Sequence, residues 1–191
     1  MLRLPNQVPV PAFIREAHDL RTGDAAAMPD PEQIFLEPDD GIPNSPLPVL
    51  IYRAACPEGA AALEGLFLRN GWSGLWRDGV FDFHHYHSRG HEVLGVAAGS
   101  ARLALGGPGG RDIDVTAGDV LVLPAGTGHR RIGASSGFLV VGGYPPGQEG
   151  DICRPPATPE QRRRIASLPL PDSDPVLGDD GLTRLWKNLP S

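Results

Sequence analysis

Apolar positions in the middle of the chain fall into short runs separated by glycines and other turn residues. Between Trp72 and Tyr144 these runs are GVFDFHHYH, EVLGVAAG, ARLALGG, RDIDVT, DVLVLP, HRRIG and FLVVGGY. Short, closely spaced apolar or alternating runs are typical of the strands of a β-sandwich or barrel. Two earlier runs, EQIFLE and PLPVLIYR, flank the turn-rich EPDDGIPNS and predict two further strands.

One segment has helical spacing instead. In PEGAAALEGLFLRNG, residues Ala60, Leu63 and Phe67 recur at intervals of three and four, and Gly71 ends the pattern. The sequence therefore predicts an all-β domain that carries one N-terminal helix.

The two ends of the chain have a different composition from its centre. Residues 1–31 are rich in Pro, Ala and Asp and predict an irregular arm. Residues 32–150 hold the predicted β-barrel domain. Residues 151–191 contain PEQRRRIASL, a candidate short helix, followed by Pro-rich and Asp-rich text, and predict an extension that wraps the domain.

The composition of the chain argues against several classes of function. A length of 191 residues suits one domain. A formal charge of -6 opposes a nucleic acid or anionic membrane partner, because such partners need clustered Lys and Arg. Lys187 is the only lysine, which argues against Schiff-base chemistry. Cys56 and Cys153 form no C-x-x-C pair, and no signal-peptide or membrane-spanning run is present, so we expect a soluble cytoplasmic protein.

Histidines supply the candidate chemistry. In FDFHHYHS, the two-residue period of a strand places Phe81, Phe83, His85 and His87 on one face. A polar turn, SRGH, then leads to Glu92 at the start of a returning strand. A hairpin of this length brings the Glu92 carboxylate beside the two imidazoles.

A third histidine follows the turn PAGTG. His129 begins the next predicted strand, so three imidazoles and one carboxylate become available. Such a set suits one divalent transition metal, either Fe, Mn, Ni, Cu or Zn, and leaves open positions for a substrate or dioxygen if the ion is octahedral.

The same residues carry a family resemblance. The stretch from Gly79 to Gly99 resembles the first cupin motif at full spacing, and GDVLVLPAGTGHRRI resembles the second, with Gly133 where that motif usually has Asn. The phrases LPVLIYR, HHYHS, HEVLG and LPAGTGH resemble those of YjlB-type cupins, over roughly residues 32–178. The resemblance implies a double-stranded β-helix (jelly-roll) barrel, commonly a homodimer, with the metal inside the barrel and no reaction assigned.

Other residues admit two interpretations each. Phe81 and Phe83 are plain core or the wall of a substrate pocket. Arg131 is either a guanidinium that holds a substrate carboxylate or a charge on the rim. His84 points away from the ligands, and His91 either orients Glu92 or occupies the turn.

We therefore expect an oxygenase-like metalloenzyme that acts on a small-molecule ligand. In related enzymes the carboxylate at the position of Glu92 leaves the metal to take a proton, so Glu92 is the candidate catalytic residue. The alternatives are a non-catalytic cupin that binds a metabolite, a sugar isomerase or epimerase, and a barrel whose His85, His87, Glu92 and His129 are only hydrogen-bonded to one another.

Overall fold

The computed structural model describes residues 30–179 and 181–187. The arm predicted over residues 1–31 lies outside these residues except for its last two positions. The end of the predicted extension, residues 188–191, also lies outside them.

Nine strands in the described residues form two antiparallel sheets. The larger sheet has the order β1-β2-β7-β4-β9-β3, and the smaller has the order β6-β5-β8. The strands are β1 Glu32–Ile34, β2 Val49–Tyr52, β3 Ser73–Asp78, β4 Glu92–Ala98, β5 Ser100–Leu105, β6 Arg111–Thr116, β7 Val120–Leu123, β8 His129–Ala134 and β9 Leu139–Tyr144. The predicted all-β jelly roll is confirmed.

The larger sheet is buried on both faces. Along β4, Leu94 packs into the core between the two sheets, whereas its neighbour Val93 packs into a second core on the outer face. Along β7, Leu121 and Val122 divide in the same way. Continuous apolar runs such as VLIY and VLVL follow from this double burial, because both side-chain directions meet protein.

Helix α1, Ala60–Arg69, is the helix that the sequence predicts, and it covers the outer face of the larger sheet. Its buried side chains Leu63 and Phe67 lie directly over Gly95 of β4, where an added Cβ would come within 2.7 Å of Leu63. The helix ends where Gly71 adopts a φ of 80°, a backbone conformation that glycine adopts without strain.

The prediction of a strand over GVFDFHHYH is wrong. The strand in this region, β3, precedes it, and residues 79–91 are an irregular segment with isolated bridges at His85 and Tyr86. The segment is extended there, so its side chains alternate as in a strand. Its hydrogen bonds go to single residues of distant segments, so no continuous ladder forms.

The C-terminal segment packs on the outer face of the larger sheet through apolar side chains between Leu170 and Trp186. Helix α2, Pro159–Ser167, begins with a capping box between Thr158 and Gln161. After the short helix α3, Gly181–Leu185, the Nε1 of buried Trp186 donates to the carbonyl of Pro48. No helix in the described residues is long and apolar enough to span a membrane.

Candidate metal centre

An isolated backbone bridge brings His85 and His129 together. The N–H of His85 donates to the carbonyl of His129 at 3.2 Å, and the N–H of His129 donates back at 2.9 Å. This pairing joins the irregular segment to the start of β8 and places the two ring centroids 4.0 Å apart. Both side chains are buried.

Two other segments hold His87. Its carbonyl accepts the N–H of Gly126, which lies in the turn before β8 and has a φ of 89°. Its Nδ1 lies 2.7 Å from the carbonyl of Asp151. The Asp151 carboxylate also accepts the N–H groups of Ser88 and Arg89, so the C-terminal segment fixes the turn that follows the histidine.

Glu92 reaches the cluster from the first residue of β4. Its Oε2 lies 3.2 Å from Nε2 of His87 and 3.4 Å from Nε2 of His129. Its Oε1 accepts a 3.1 Å hydrogen bond from the hydroxyl of Tyr144 at the end of β9. The carboxylate therefore has one oxygen held by Tyr144 and the other directed at the imidazoles.

The hydrogen bonds of the rings indicate their tautomers. Nδ1 lies 3.2 Å from the carbonyl of Phe83 in His85 and 3.0 Å from the carbonyl of Thr127 in His129. His87 has the corresponding contact described above. A carbonyl oxygen only accepts, so each Nδ1 carries the proton, and Nε2 is the atom with a lone pair to offer in a neutral ring.

The electrostatics favour a cation at this point. Burial, reinforced by His129, lowers the pKa of His85 to about 3, so this imidazole is neutral. Burial opposes ionisation of His87 and Glu92, but their mutual attraction outweighs it, raising the pKa of His87 to about 9 and lowering that of Glu92. Without a metal, a proton shared in this pair supplies the positive charge that the carboxylate requires.

These residues fit a divalent metal ion. The ligand atoms of His85, His87 and His129 lie within 4.8 Å of one another. Oε2 of Glu92 is buried beside two of them and makes no well-formed hydrogen bond within the described residues. A buried anionic oxygen that faces two imidazole nitrogens, with a third imidazole nearby, is the environment that a borderline metal ion satisfies.

A cavity of about 270 Å³ opens above the cluster. Its lining includes the three imidazoles, Glu92 and Tyr144. Its lining also includes apolar side chains from four parts of the chain: Trp76, Val80 and Phe81, Leu94, and Ile152. A molecule in this cavity would contact the cluster directly.

Two of the three predicted pocket residues are not among the residues that line this cavity. Phe81 lines it and is 45% exposed. Phe83 lies behind Phe81, because its ring stacks on that of Phe81 at 4.9 Å and lies beneath the guanidinium of Arg154 at 3.7 Å. Arg131 lines a neighbouring open depression, and its Nε donates to the carbonyl of Val80. Phe81, His85 and His87 share the face that the strand pattern predicted, whereas Phe83 leaves it. Arg131 lies on β8, whose pairing with β5 has a register irregularity near this residue.

Two further histidines of the described residues lie outside the cluster. His84 is partly buried and accepts from Nε of Arg130 at 3.1 Å. His91 is buried, and its Nδ1 accepts the N–H of Ala125, so it ties the two motifs together. Its ring also packs against Trp186 at 5.1 Å.

Sequence reasoning missed Tyr144 and Asp151, which contact the candidate ligands. The signal for Tyr144 lies in the antiparallel pairing of β4 with β9. Gly143 pairs with Val93, so Tyr144, which follows Gly143, comes beside Glu92, which precedes Val93. The Asp151 contact has no local signal, because it depends on how the C-terminal segment returns to the barrel.

Comparison with known proteins gives one curated relative. The chain is 38% identical over 159 residues to the uncharacterized protein YjlB of Bacillus subtilis (strain 168), covering 81% of this chain and 96% of that protein. The chain belongs to the YjlB family. Its two cupin motifs supply the candidate ligands described above, so this member is a YjlB-type cupin. No family model matches the chain.

Solved structures give only partial likenesses. Acireductone dioxygenase from Bacillus anthracis, with a cadmium ion in its active centre, has 15% identity and a TM-score of 0.34, covering 45% of this chain and 59% of that one. A DUF861 family protein from Thermotoga maritima has 16% identity and a TM-score of 0.33, covering 50% and 98%. At these scores the likeness carries no information on activity.

Proposed function

We propose that this YjlB-type cupin is a metal-dependent enzyme that acts on a small organic molecule. The observation that carries the proposal is the convergence of three buried Nε2 atoms and one buried carboxylate oxygen on the floor of a cavity. A cavity that ends on titratable groups with strongly perturbed pKa values is a typical catalytic site.

The protein's own residues have distinct roles in this proposal. His85, His87, His129 and Glu92 would hold the ion. When bound, a metal supplies Lewis acidity and open positions for a substrate or dioxygen. The backbone carbonyls behind each imidazole keep the Nε2 atoms directed at the ion, as outer hydrogen bonds do in other metal sites. The apolar wall limits access of water.

Glu92 is the group we propose to move a proton. Its carboxylate is ionised, lies at the cavity floor, and is the residue predicted from the resemblance to be catalytic. Tyr144 is its hydrogen-bond donor, and burial together with the Glu92 charge raises the pKa of Tyr144 well above its usual range, so the phenol remains protonated. A protonated phenol beside an ionised carboxylate gives the site one donor and one base.

An oxygenase is the finer proposal, and oxygen uptake tests it. The protein would be reconstituted with iron, manganese or nickel, and oxygen consumption and product formation followed across a panel of small metabolites. We expect turnover with at least one metal and its loss in His129→Ala. A protein that binds metal but shows no turnover with any compound, metal or cosubstrate favours the non-catalytic alternative.

That alternative has one observation in its favour. Apart from the candidate ligands, the titratable side chains in the described lining are Arg77, Asp78 and Tyr144. Arg77 is engaged in an ion pair, the Tyr144 hydroxyl donates to Glu92, and the Asp78 carboxylate accepts the N–H of Gly79, so each of these three side chains already has a partner. A sugar isomerase is disfavoured, because a polyol would lose hydrogen bonds to water against the apolar wall.

We also propose a homodimer, as the family resemblance implies, and the cytoplasmic location expected from the sequence. Light scattering coupled to gel filtration tests the dimer. A mass of one chain, 20.3 kDa, would contradict it.

A further inference from the structure

The wall of the cavity above the histidine cluster is mainly apolar. Trp76 and Phe81 present aromatic rings, and Val80, Leu94 and Ile152 complete the surface. Ile152 is 57% exposed and stands at the opening, where a bound molecule would cover it. The volume of about 270 Å³ lies just below the roughly 300–1,000 Å³ of pockets for drug-sized ligands, which points to a small occupant.

The charges around the cavity disfavour an anionic occupant. Within the described lining of the cavity, the guanidinium group belongs to Arg77. It is held by Glu64 through two contacts, Nε to Oε1 at 2.6 Å and Nη2 to Oε2 at 2.7 Å. Two carboxylates, Asp78 and Glu92, also line the cavity. A substrate carboxylate or phosphate would find like charges and no uncommitted guanidinium in this lining.

From these observations, and resting on the proposed metal function, we propose that the cavity binds a small, uncharged, largely apolar molecule that reaches the histidine cluster through an oxygen donor. The apolar body packs on Trp76, Phe81 and Ile152, and the oxygen end lies toward the imidazoles and Glu92. Burial of the apolar body supplies most of the affinity on the protein side.

A bound ion would itself attract an anion, so the test uses probes that share one metal-binding group. Zinc-loaded protein is titrated with acetohydroxamic acid, 4-carbamoylbenzohydroxamic acid and 4-carboxybenzohydroxamic acid. The last two have nearly the same shape and differ in charge. We expect the carbamoyl probe to bind about tenfold more tightly than acetohydroxamic acid, and the carboxyl probe about tenfold more weakly than the carbamoyl probe.

Paired variants locate the contact. Ile152→Ser changes the cavity opening, and Ile132→Ser makes the same change at a residue of β8 that is 43% exposed and outside the cavity lining. We expect Ile152→Ser to weaken the carbamoyl probe about threefold to tenfold while acetohydroxamic acid is unaffected. Ile132→Ser should change neither probe.

Several results would overturn the proposal. These are binding of the carboxyl probe as tight as that of the carbamoyl probe, binding of the aromatic probes no tighter than that of acetohydroxamic acid, and equal effects of the two serine variants on the carbamoyl probe. Zinc content is measured first. Protein that takes up zinc but gives one of these results contradicts this proposal alone, whereas protein that takes up no zinc contradicts the proposed function as well.

Discussion

The hydroxyl of Tyr144 fixes one oxygen of Glu92, and its removal by Tyr144→Phe should weaken metal binding. The hydrogen bond is 3.1 Å long, and its acceptor is a buried, ionised carboxylate. Bonds to charged groups contribute about 1.5–3 kcal/mol, and each 1.4 kcal/mol is about tenfold in affinity. Loss of a partner behind a metal ligand costs about 10–100-fold in other sites, which agrees with this range.

Zinc affinity, measured in competition with a chromophoric chelator, checks this expectation. Tyr52→Phe is the matched control, because the Tyr52 hydroxyl also donates to a buried carboxylate, that of Asp174, in the outer core away from the cluster. The control should lower stability and leave zinc affinity unchanged. If Tyr144→Phe binds zinc as tightly as the unmodified protein, Tyr144 does not position Glu92 or Glu92 is not a ligand.

Two further predictions concern stability, and urea unfolding checks both. Gly95→Ala should lower the free energy of unfolding by about 1–3 kcal/mol, because the added Cβ would come within 2.7 Å of Leu63. In the control variant Gly133→Ala the added Cβ has nothing within 4 Å, so the free energy of unfolding should change little. Equal effects of the two variants would contradict this packing. Burial raises the pKa of Asp174 above 3.8, so the folded state keeps its proton to higher pH. As pH rises through that raised pKa, the free energy of unfolding of the unmodified protein should fall relative to that of Asp174→Asn. Parallel pH profiles of unfolding free energy for the two proteins would contradict the shift.

Apart from β8, the strands from residue 92 to residue 144 could be predicted from the sequence because each combines an apolar pattern with turn residues at its ends. Helix α1 could be predicted for the same kind of reason. Strand β3 could not, since SGLWRD has few apolar positions and its burial is only partial. Strand β8, HRRIGA, has one large apolar residue, and the signal for it is the PAGTG turn that precedes it. The irregular segment before β4 resembles a strand in sequence because an extended backbone alternates its side chains whether or not a ladder forms.

The candidate ligands could be named from the sequence, but their surroundings could not. His85 and His129 meet because one backbone bridge joins two segments far apart in the chain. The same long-range folding brings Asp151 to His87 and Ile152 to the cavity. Arg131 shows the limit of local spacing, because two residues after a ligand its side chain faces a different depression.

The metal content of the protein purified without chelators tests the central claim most directly. Elemental analysis should find about one divalent transition metal ion per chain. The double variant His85→Ala, His129→Ala, shown to be folded by circular dichroism, should contain none. Metal-free native protein that also takes up no added iron, manganese, nickel, copper or zinc would contradict the claim, and so would equal metal content in the variant.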